Sequence, residues 1–472
     1  DNGTLAAMSS ADNITWTGTF TPTANTEDAS NTLSLATSYT DTAGNTGPAA
    51  TTANYAVETL APSVNSFTLS DTALKAGDNA TVTLVFSEAV ASFSSSADIT
   101  VANGTLAVMT STDNITWAGT FTPTANTEDD NNTLSLATSY TDLAGNAGPA
   151  ATTANYAIDT LLPTISSVTA GWGTFLNATE DNSAGTVTIV TSGAENGQTV
   201  TVALNGTNYT GTVSDNSTAV TVAASGLQAL TDGDNYTLTT NVSDAAGNAA
   251  TVNTGTLFTY DRTPPSISGA VAITGAGIQN NFLNVPDVVS ATVTFSENSP
   301  VTGTPQLTLA VGDDNRTADY ASSGIGGTTL VFQYMIQAGD NDSNGISIGA
   351  NALALNSGTI RDAALNDAIL THSVVDNNSS YKVDTVLPTV SVAITGEDGI
   401  QNSFLNAGDN VSVTATFSET VIVDNSSGNP TITLVVGSDN RTATYTSGSG
   451  STELVFRYTI QATGTSGEND SN

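Results

Sequence analysis

The strongest constraint on this chain is an internal repeat. Residues 2–64 recur almost letter for letter at 103–165, so that Asn2-Gly3-Thr4-Leu5 reappears as Asn103-Gly104-Thr105-Leu106. The constant offset of 101 residues is the length of one small β-sandwich, and a copied unit of that size indicates a tandem array of domains. Function is therefore expected to reside in the array.

The pattern inside each repeat is that of short β-strands. Val82, Leu84 and Phe86 alternate with less apolar neighbours, as expected of a strand with one buried face. Gly-Asp, Asn-Gly and Ala-Gly-Asn turns interrupt such runs at intervals of about ten residues, which is typical of an antiparallel sandwich. The sequence therefore predicts an all-β fold, a tandem array of Ig-like antiparallel β-sandwich domains.

Each predicted domain boundary carries an acidic residue followed within a few positions by proline, which ends the strand and stiffens a very short linker. The boundary acids are Glu58, Asp159, Asp261 and Asp384. The predicted domains are residues 1–60, 61–161, 162–263, 264–386 and 387–472. The last two form a second repeat class, because Gly277-Ile278-Gln279-Asn280 is echoed by Gly399-Ile400-Gln401-Asn402.

Both terminal domains are expected to be partial. Residues 1–60 match only the later strands of the second domain, and 387–472 lack counterparts of the last strands of the fourth. The first interpretation is that the sequence is a window on a longer polypeptide. The alternative is that strands from neighbouring subunits complete the open sandwiches, although the two remnants overlap in the strands they retain.

Composition excludes several classes of partner. The chain has no cysteine, 7 Lys plus Arg, 44 Asp plus Glu and a formal charge of -37. Nucleic acids and anionic membrane surfaces are bound through Lys and Arg, which are scarce here. No apolar run approaches the roughly 18 residues of a membrane-spanning helix, so no membrane insertion is predicted in this segment.

Three motifs resemble a known family. Phe86-Ser87-Glu88-Ala89-Val90, Asp142-Leu143-Ala144-Gly145-Asn146 and Asp159-Thr160-Leu161-Leu162-Pro163 are similar to bacterial Ig-like domains that fill the stalks of giant surface adhesins. The resemblance spans essentially the whole chain. It implies an extracellular or cell-surface location and a spacer role, often with calcium rigidifying the repeats. The third domain departs from it with Thr191-Ser192-Gly193-Ala194, and the fourth lacks the glycine in Asp362-Ala363-Ala364-Leu365-Asn366.

The topology of an Ig sandwich brings the acidic residues of these motifs together. The N-terminal linker, the loop after strand B and the loop between strands F and G all lie at one end. We therefore expect carboxylates to converge at each junction between successive domains. The predicted groups are Glu58 with Glu88 and Asp142; Asp159 with Asp244 and Glu195; Asp261 with Glu297 and Asp362; and Asp384 with Glu419.

Converging carboxylates without basic partners repel one another, and a hard dication bound by oxygens relieves the repulsion. Calcium at the interdomain junctions is the predicted cofactor, and a filled junction would turn a hinged string into a stiff rod. The alternative is that Asp41, Asp142 and Asp244 cap tight turns while the linker acids stay solvated.

Other chemistry has little support. His372 is the one histidine, so Cys-His pairs and zinc clusters are excluded and no enzyme activity is predicted. Trp16 and Trp117, at equivalent repeat positions, are predicted to pack in cores or against strands. Asn-X-Ser/Thr triplets at repeat-equivalent positions make Asn13, Asn114, Asn315 and Asn440 candidate acceptors of covalent glycans.

These observations predict a structural extracellular repeat protein, a stalk or filament on a microbial surface. Its partners would be neighbouring copies or further repeats of the same chain. Two alternatives stay open: an envelope lattice subunit of the S-layer type, and a carbohydrate-binding adhesive module, for which the divergent third domain is the place to look.

Overall fold

A computed structural model of the chain describes residues 2–324 and 326–462. Its regular structure is almost entirely β, which confirms the predicted all-β fold of Ig-like sandwiches. Two compact units, residues 1–263 and 264–472, are described separately below. The chain termini of the predicted first and last domains, residue 1 and residues 463–472, lie outside the described residues. In the part described, none of the helices has the length and apolarity needed to cross a bilayer.

In the first unit, residues 2–60 form three two-stranded antiparallel sheets, which pair β1 with β2, β3 with β6 and β4 with β5. The strands are β1 Gly3–Leu5, β2 Phe20–Pro22, β3 Glu27–Asn31, β4 Ser34–Leu35, β5 Ala50–Thr51 and β6 Tyr55–Glu58. Most large apolar side chains of this segment are exposed, and Val57 is its buried apolar side chain among the described residues.

Residues 61–161 form a two-layered sandwich. One layer is the four-stranded sheet β11-β12-β9-β7, and the other consists of the sheets β10-β14-β15 and β13-β16-β8. The elements are β7 Val64–Leu69, β8 Ala73–Lys75, β9 Ala80–Phe86, the helical turn α1 Ser95–Asp98, β10 Ile99–Thr100, β11 Gly104–Leu106, β12 Thr116–Pro123, β13 Glu128–Asn132, β14 Ser135–Leu136, β15 Ala151–Thr152 and β16 Tyr156–Asp159.

Strand β9 lies in the middle of its sheet, and its alternation decides which residues form the core. Val82, Leu84 and Phe86 are completely buried, as their spacing predicts, and pack with Phe121 of β12 and with Tyr140 in the connection between β14 and β15. One pairing departs from a purely antiparallel sandwich, because β8 runs parallel to β16 with Leu74 opposite Ile158. This pairing ties the start of the segment to its end.

Residues 162–263 repeat the two-layered plan with the sheets β17-β19-β22, β21-β20-β24-β25 and β18-β26-β23. The elements are β17 Thr164–Ala170, β18 Phe175–Leu176, a 3-10 turn Glu180–Asn182, β19 Gly185–Ser192, β20 Thr199–Leu204, β21 Thr207–Thr212, β22 Ser217–Val222, the helical turn α2 Ala224–Leu227, β23 Asn235–Tyr236, β24 Thr239–Val242, β25 Asn253–Thr254 and β26 Phe258–Tyr260. Trp172 is buried in this core against Phe258, with ring centroids 5.4 Å apart.

In the second unit, residues 264–386 contain the sheets β27-β29-β33-β32-β31-β35, β28-β37-β34 and β30-β36. The strands are β27 Ala272–Ala276, β28 Phe282–Leu283, β29 Val288–Thr294, β30 Val301–Thr302, β31 Gln306–Val311, β32 Asp314–Ser323, β33 Thr329–Met335, β34 Asn341–Asp342, β35 Leu353–Ala354, β36 Thr359–Ile360 and β37 Lys382–Asp384. As in the first unit, an early strand, β28, pairs in parallel with the final one, β37.

The described residues from 387 onward form one five-stranded antiparallel sheet, β38-β39-β42-β41-β40. Its strands are β38 Val390–Asp398, β39 Asn410–Val421, β40 Thr431–Val436, β41 Asp439–Ser447 and β42 Ser451–Thr459. Val413, Ala415 and Phe456 are buried on one face.

Candidate metal centres at the domain junctions

The acidic residue that opens each Asp-X-X-X-Asn turn is held by hydrogen bonds. In the turn between β14 and β15, Asp142 Oδ1 accepts backbone N–H groups of Ala144, Gly145 and Asn146 at 2.8, 2.7 and 2.9 Å. Its Oδ2 accepts Asn146 Nδ2 at 2.7 Å. A carboxylate offers about four lone-pair directions, two on each oxygen, so Oδ2 keeps one direction for a further partner.

The protonation behaviour of Asp142 follows from these bonds. Burial raises its pKa, but hydrogen bonds from the Asn146 side chain and from the turn backbone outweigh burial and leave the pKa below its usual value. Asp142 is therefore a buried carboxylate that stays ionised. The turn chemistry considered above for Asp41, Asp142 and Asp244 is present at all three residues.

At the first junction, Glu88 lies in the loop after β9 and is half-buried. Burial raises the pKa of Glu88, and the charges of Asp142, Glu58 and Glu27 raise it further. Glu58 ends β6, and its Oε1 accepts the Leu60 N–H at 2.7 Å. The linker acid, the loop acid and the turn acid are thus close enough for their charges to interact.

At the second junction, Asp159 ends β16 and is also half-buried. Burial raises the pKa of Asp159; the Leu161 N–H lowers it, and the charges of Asp244, Glu128 and Glu195 raise it again. Glu195 is exposed, and its Oε2 accepts the Ala245 N–H at 2.8 Å, inside the turn that Asp244 opens.

An asparagine completes each of these junctions, and we name its contacts the asparagine clasp. Asn248 Nδ2 donates to Asp244 Oδ2 and to the Asp159 carbonyl, both at 2.9 Å, while Asn248 Oδ1 accepts the Ala76 N–H at 2.7 Å. At the first junction Asn146 Nδ2 donates to the Glu58 carbonyl at 3.3 Å. Three segments of the chain therefore meet on one amide side chain at the second junction.

The second unit contains two further acidic pairs. Carboxylate oxygens of Glu297 and Asp362 lie within 4.8 Å of one another. Asp362 Oδ1 accepts the Asn366 N–H at 2.8 Å and Oδ2 accepts Asn366 Nδ2 at 2.9 Å, as in the first unit. Leu365 occupies the position of the missing glycine with φ of 70°. Asp261, the linker acid grouped with this pair from the sequence, belongs to the first unit, where its Oδ1 accepts the Thr263 N–H at 3.2 Å.

Asp384 and Glu419 form the other pair. Burial raises the pKa of Glu419, and the Asp384 carboxyl raises it further through its charge and a side-chain hydrogen bond. Glu419 Oε1 is buried and has no hydrogen-bond partner among the described residues. A buried carboxylate oxygen without a donor, next to a second carboxylate, fits a hard cation better than it fits solvent.

The donor set at these junctions consists of carboxylate oxygens and backbone carbonyls, with no cysteine and no histidine nearby. Such a set suits Ca²⁺ or Mg²⁺ and not zinc or copper. The residues present therefore fit calcium by ligand type.

The remaining predicted sites are dispersed. Asn13 and Asn114 lie in exposed turns with φ of 58°, while Asn315 and Asn440 are exposed beside the hairpin turns β31–β32 and β40–β41. His372 Nε2 accepts the Ala352 N–H at 2.9 Å, so Nδ1 carries the proton and donates to the Ser373 carbonyl at 2.8 Å. This histidine connects two loops.

Of the two tryptophans predicted to pack in cores or against strands, Trp117 packs against a core as predicted, whereas Trp16 is not a core residue. Trp117 packs against Phe93 with ring centroids 4.9 Å apart, whereas Trp16 is 53% exposed. The two residues share a sequence context, but no counterpart of Phe93 lies over Trp16 in the described part of the chain.

Comparison with known proteins agrees with this architecture. The profile of the bacterial Ig-like domain matches residues 1–57 and 58–158. A bacterial immunoglobulin-like domain from the M. primoryensis ice-binding adhesin is 33% identical and aligns over 21% of this chain and 95% of that chain, with a TM-score of 0.17. No curated protein matches the chain.

Two multidomain structures align over more of the sequence. One is a Ca²⁺-stabilized adhesin that helps an Antarctic bacterium reach out and bind ice, with 22% identity over 84% of this chain and 90% of that chain and a TM-score of 0.34. The other is a tetra-tandem repeat in the extending region of a large adhesion protein, with 18% identity, coverage of 85% and 99%, and a TM-score of 0.23. The chain belongs to the bacterial Ig-like domain family.

Proposed function

We propose that this chain is an extracellular spacer, part of a stalk or filament on a microbial surface, whose function is to hold successive Ig-like domains at fixed angles. The observation that carries the proposal is the construction of the two junctions in the first unit. There the turn of one domain is hydrogen-bonded to the linker before it, and carboxylates from three chain segments surround that contact.

Calcium is the proposed cofactor of these junctions. Burial and the charges of neighbouring carboxylates raise the pKa values of Glu88 and Asp159, and neither residue makes an ion pair within the described part of the chain, although Lys75 lies opposite Asp159 in the β8–β16 pairing. Without a metal, the carboxylates at each junction therefore repel one another. A calcium ion bound by these oxygens would remove the repulsion and join the linker to the loops on either side. Extracellular calcium is abundant enough to fill sites of modest affinity.

Membership of the Ig-like family and the adhesin origin of a 33% identical domain support a surface location and a non-catalytic role. His372 fits that role as a structural residue, because both of its ring nitrogens are used in hydrogen bonds to loop backbone. The chain's partners would be further repeats or neighbouring copies, and glycans on the exposed asparagines stay a prediction.

The test is a comparison of the whole chain in calcium and in chelator by calorimetric titration and thermal unfolding. Each site held at ten times its Kd adds about 1.4 kcal/mol to the free energy of unfolding, so melting should rise with calcium and the titration should show saturable binding. Unchanged melting and no heat of binding would contradict calcium as the cofactor.

A charge-only variant sharpens this test. Glu88→Gln keeps the shape of the side chain and removes one repelling charge, so we expect higher stability than the unaltered chain in chelator and weaker calcium binding. A gain in stability without calcium together with a loss of calcium affinity identifies a metal ligand, because an acid with a purely structural role would not change calcium affinity. Glu397→Gln, at an exposed acid of β38, is the matched control and should change neither quantity.

A further inference from the structure

The second junction contains a basic residue in addition to its acids. Lys75 is the only lysine or arginine in residues 1–261. It ends β8 and lies opposite Asp159, which ends β16, in the parallel pairing of the two strands. The one basic side chain of this long acidic stretch therefore lies beside the linker acid of the second junction.

The backbone around Lys75 is fixed from two sides. Within its own domain, the Lys75 N–H donates to Asp78 Oδ2 at 3.2 Å, and the Asp78 N–H donates to the Lys75 carbonyl at 3.1 Å. Toward the third domain, the N–H of the next residue, Ala76, donates to Asn248 Oδ1 at 2.7 Å. These bonds hold the base of the lysine side chain against the turn at residues 244–248.

The Lys75 side chain is half-buried and extends to that turn. A Cβ added at Gly247, where φ is 92°, would lie 3.5 Å from Lys75 Nζ and 3.9 Å from Lys75 Cδ. The ammonium thus reaches across the junction to the turn that Asp244 opens. In the part of the chain that the structure describes, Lys75 forms no ion pair, so its charge acts on the nearby acids at a distance.

Two other domains carry asparagine at this position. The position follows the buried leucine through which an early strand pairs in parallel with the final strand, namely Leu74, Leu176 and Leu283. The next residues of the third and fourth domains are Asn177 and Asn284. Their N–H groups donate to Glu180 Oε2 at 3.1 Å and to Asp287 Oδ2 at 2.8 Å, as the Lys75 N–H does to a carboxylate three residues on. The turn therefore forms without lysine, and what Lys75 adds is its long side chain and its charge.

The charge of Lys75 has opposite effects on the junction with and without a metal. Burial and the charges of Asp244, Glu128 and Glu195 raise the pKa of Asp159 even with Lys75 opposite, so one ammonium offsets only part of the repulsion. A calcium ion among the same oxygens would bring two positive charges close to the ammonium, and like charges repel. Lys75 therefore stabilises the metal-free junction and weakens the binding of calcium to it.

We propose that Lys75 is a tethered cation that sets the calcium affinity of the second junction. This inference rests on the proposed function of the junctions as calcium sites. Calcium is still needed to fix the angle between the second and third domains, because one ammonium carries half the charge of the metal and pairs with none of the acids directly. The second junction would, however, fill at a higher calcium concentration than it would with asparagine at position 75.

The test compares two substitutions of Lys75 in the whole chain. Lys75→Met removes the charge and keeps the length and apolar stem of the side chain, whereas Lys75→Arg keeps the charge and is the matched control. Spin labels on cysteines introduced at Thr81 and Asn208, exposed positions of the second and third domains, report on the second junction alone. The calcium concentration at which their distance distribution narrows measures the affinity of that junction.

The expected change follows from the charge that is removed. One unit charge roughly 10 Å from a dication weakens binding in water about threefold, and screening is slight at an ionic strength of about 0.01 M. Under those conditions Lys75→Met should lower the midpoint calcium concentration about threefold, and Lys75→Arg should leave it unchanged. The difference between the two variants should shrink as salt is added.

A second readout needs no calcium. In chelator, the Ala76 amide, which bonds across the junction, should exchange faster in Lys75→Met than in the unaltered chain and at the unaltered rate in Lys75→Arg. Faster exchange in chelator together with tighter calcium binding supports the proposal. Unchanged exchange, or a calcium midpoint that Lys75→Met leaves the same or raises, overturns the role of Lys75 while the unaltered chain still responds to calcium. Distances that respond to calcium in none of the proteins refute the calcium junctions themselves and this proposal with them.

Discussion

The asparagine clasp makes a specific prediction about how rigidly the second and third domains are joined. Replacing Asn248 by alanine deletes its bonds to the Asp159 carbonyl and the Ala76 N–H, at 2.9 and 2.7 Å, as well as its bond to Asp244 within the turn. Asn45→Ala is the matched control, because the Asn45 side chain bonds Asp41 in the equivalent turn at 2.9 Å but lies exposed.

The difference between the two variants isolates the bonds that cross the junction. Each such bond contributes about 1 kcal/mol net, so Asn248→Ala should cost about 2 kcal/mol more than Asn45→Ala in local stability. That difference corresponds to roughly a thirtyfold change in the equilibrium for opening the junction. The turn bond is common to both variants and largely cancels.

Native-state hydrogen exchange of the Ala76 amide measures this directly. Its acceptor is Asn248 Oδ1, so we expect its protection to fall by at least tenfold in Asn248→Ala and to stay unchanged in Asn45→Ala. Equal protection of Ala76 in all three proteins would refute the idea that the asparagine joins the two domains.

Three further predictions follow from the same geometry. Glu88, Asp159 and Glu419 have raised pKa values in the metal-free fold, so in chelator the folded chain binds protons more readily than the unfolded chain. The melting temperature should therefore rise as the pH falls from neutral toward the ordinary Glu value of 4.5. A steady fall of the melting temperature over that window would contradict the raised pKa values of these three acids. Glu419→Gln lets an amide donate to Asp384 and should raise the melting temperature in chelator, while a lower value would show that the Glu419 carboxyl is required for folding. Leu365→Gly relieves a left-handed conformation that costs about 1 kcal/mol and adds an entropic cost of about 0.5 kcal/mol, so the free energy of unfolding measured in denaturant should rise slightly. Leu143→Gly is the control, because the φ of Leu143 is not left-handed and the substitution should only destabilise the fold.

The sequence was most informative about the strands and cores. The alternation of Val82, Leu84 and Phe86 predicts the buried face of β9 because a strand turns successive side chains to opposite faces. The parallel pairing of β8 with β16 could not be predicted in the same way. Each strand has only a few residues, and the pairing depends on contacts between the two ends of the segment.

Trp16 shows the limit of arguing from a repeat. Its immediate sequence is that of Trp117, and local sequence sets the local backbone preference. Burial, however, is set by the strand that packs over the residue, and that strand comes from a different part of the repeat unit. The same limit explains why nearly identical sequences form a long strand at 116–123 and a short one at 20–22.

At the junctions, the sequence identified acidic residues but not the amide side chain that connects them. Asn45, Asn146, Asn248 and Asn366 recur four positions after an aspartate, which was a visible signal. The pattern alone could not distinguish an asparagine that caps its own turn from one that reaches the preceding linker. The distinction depends on how a domain is placed against its neighbour, and the Asn248 bond to Ala76 is where the structure adds this information.

The central claim is that calcium at the junctions fixes the angle between successive domains. It is tested most directly by electron spin resonance distances across the second junction, which is practical because the chain has no cysteine to compete with introduced labels. Labels at Thr81→Cys and Asn208→Cys, both exposed positions, should give a narrow distance distribution in calcium and a broad one in chelator. Distributions of equal width in the two conditions would contradict the claim.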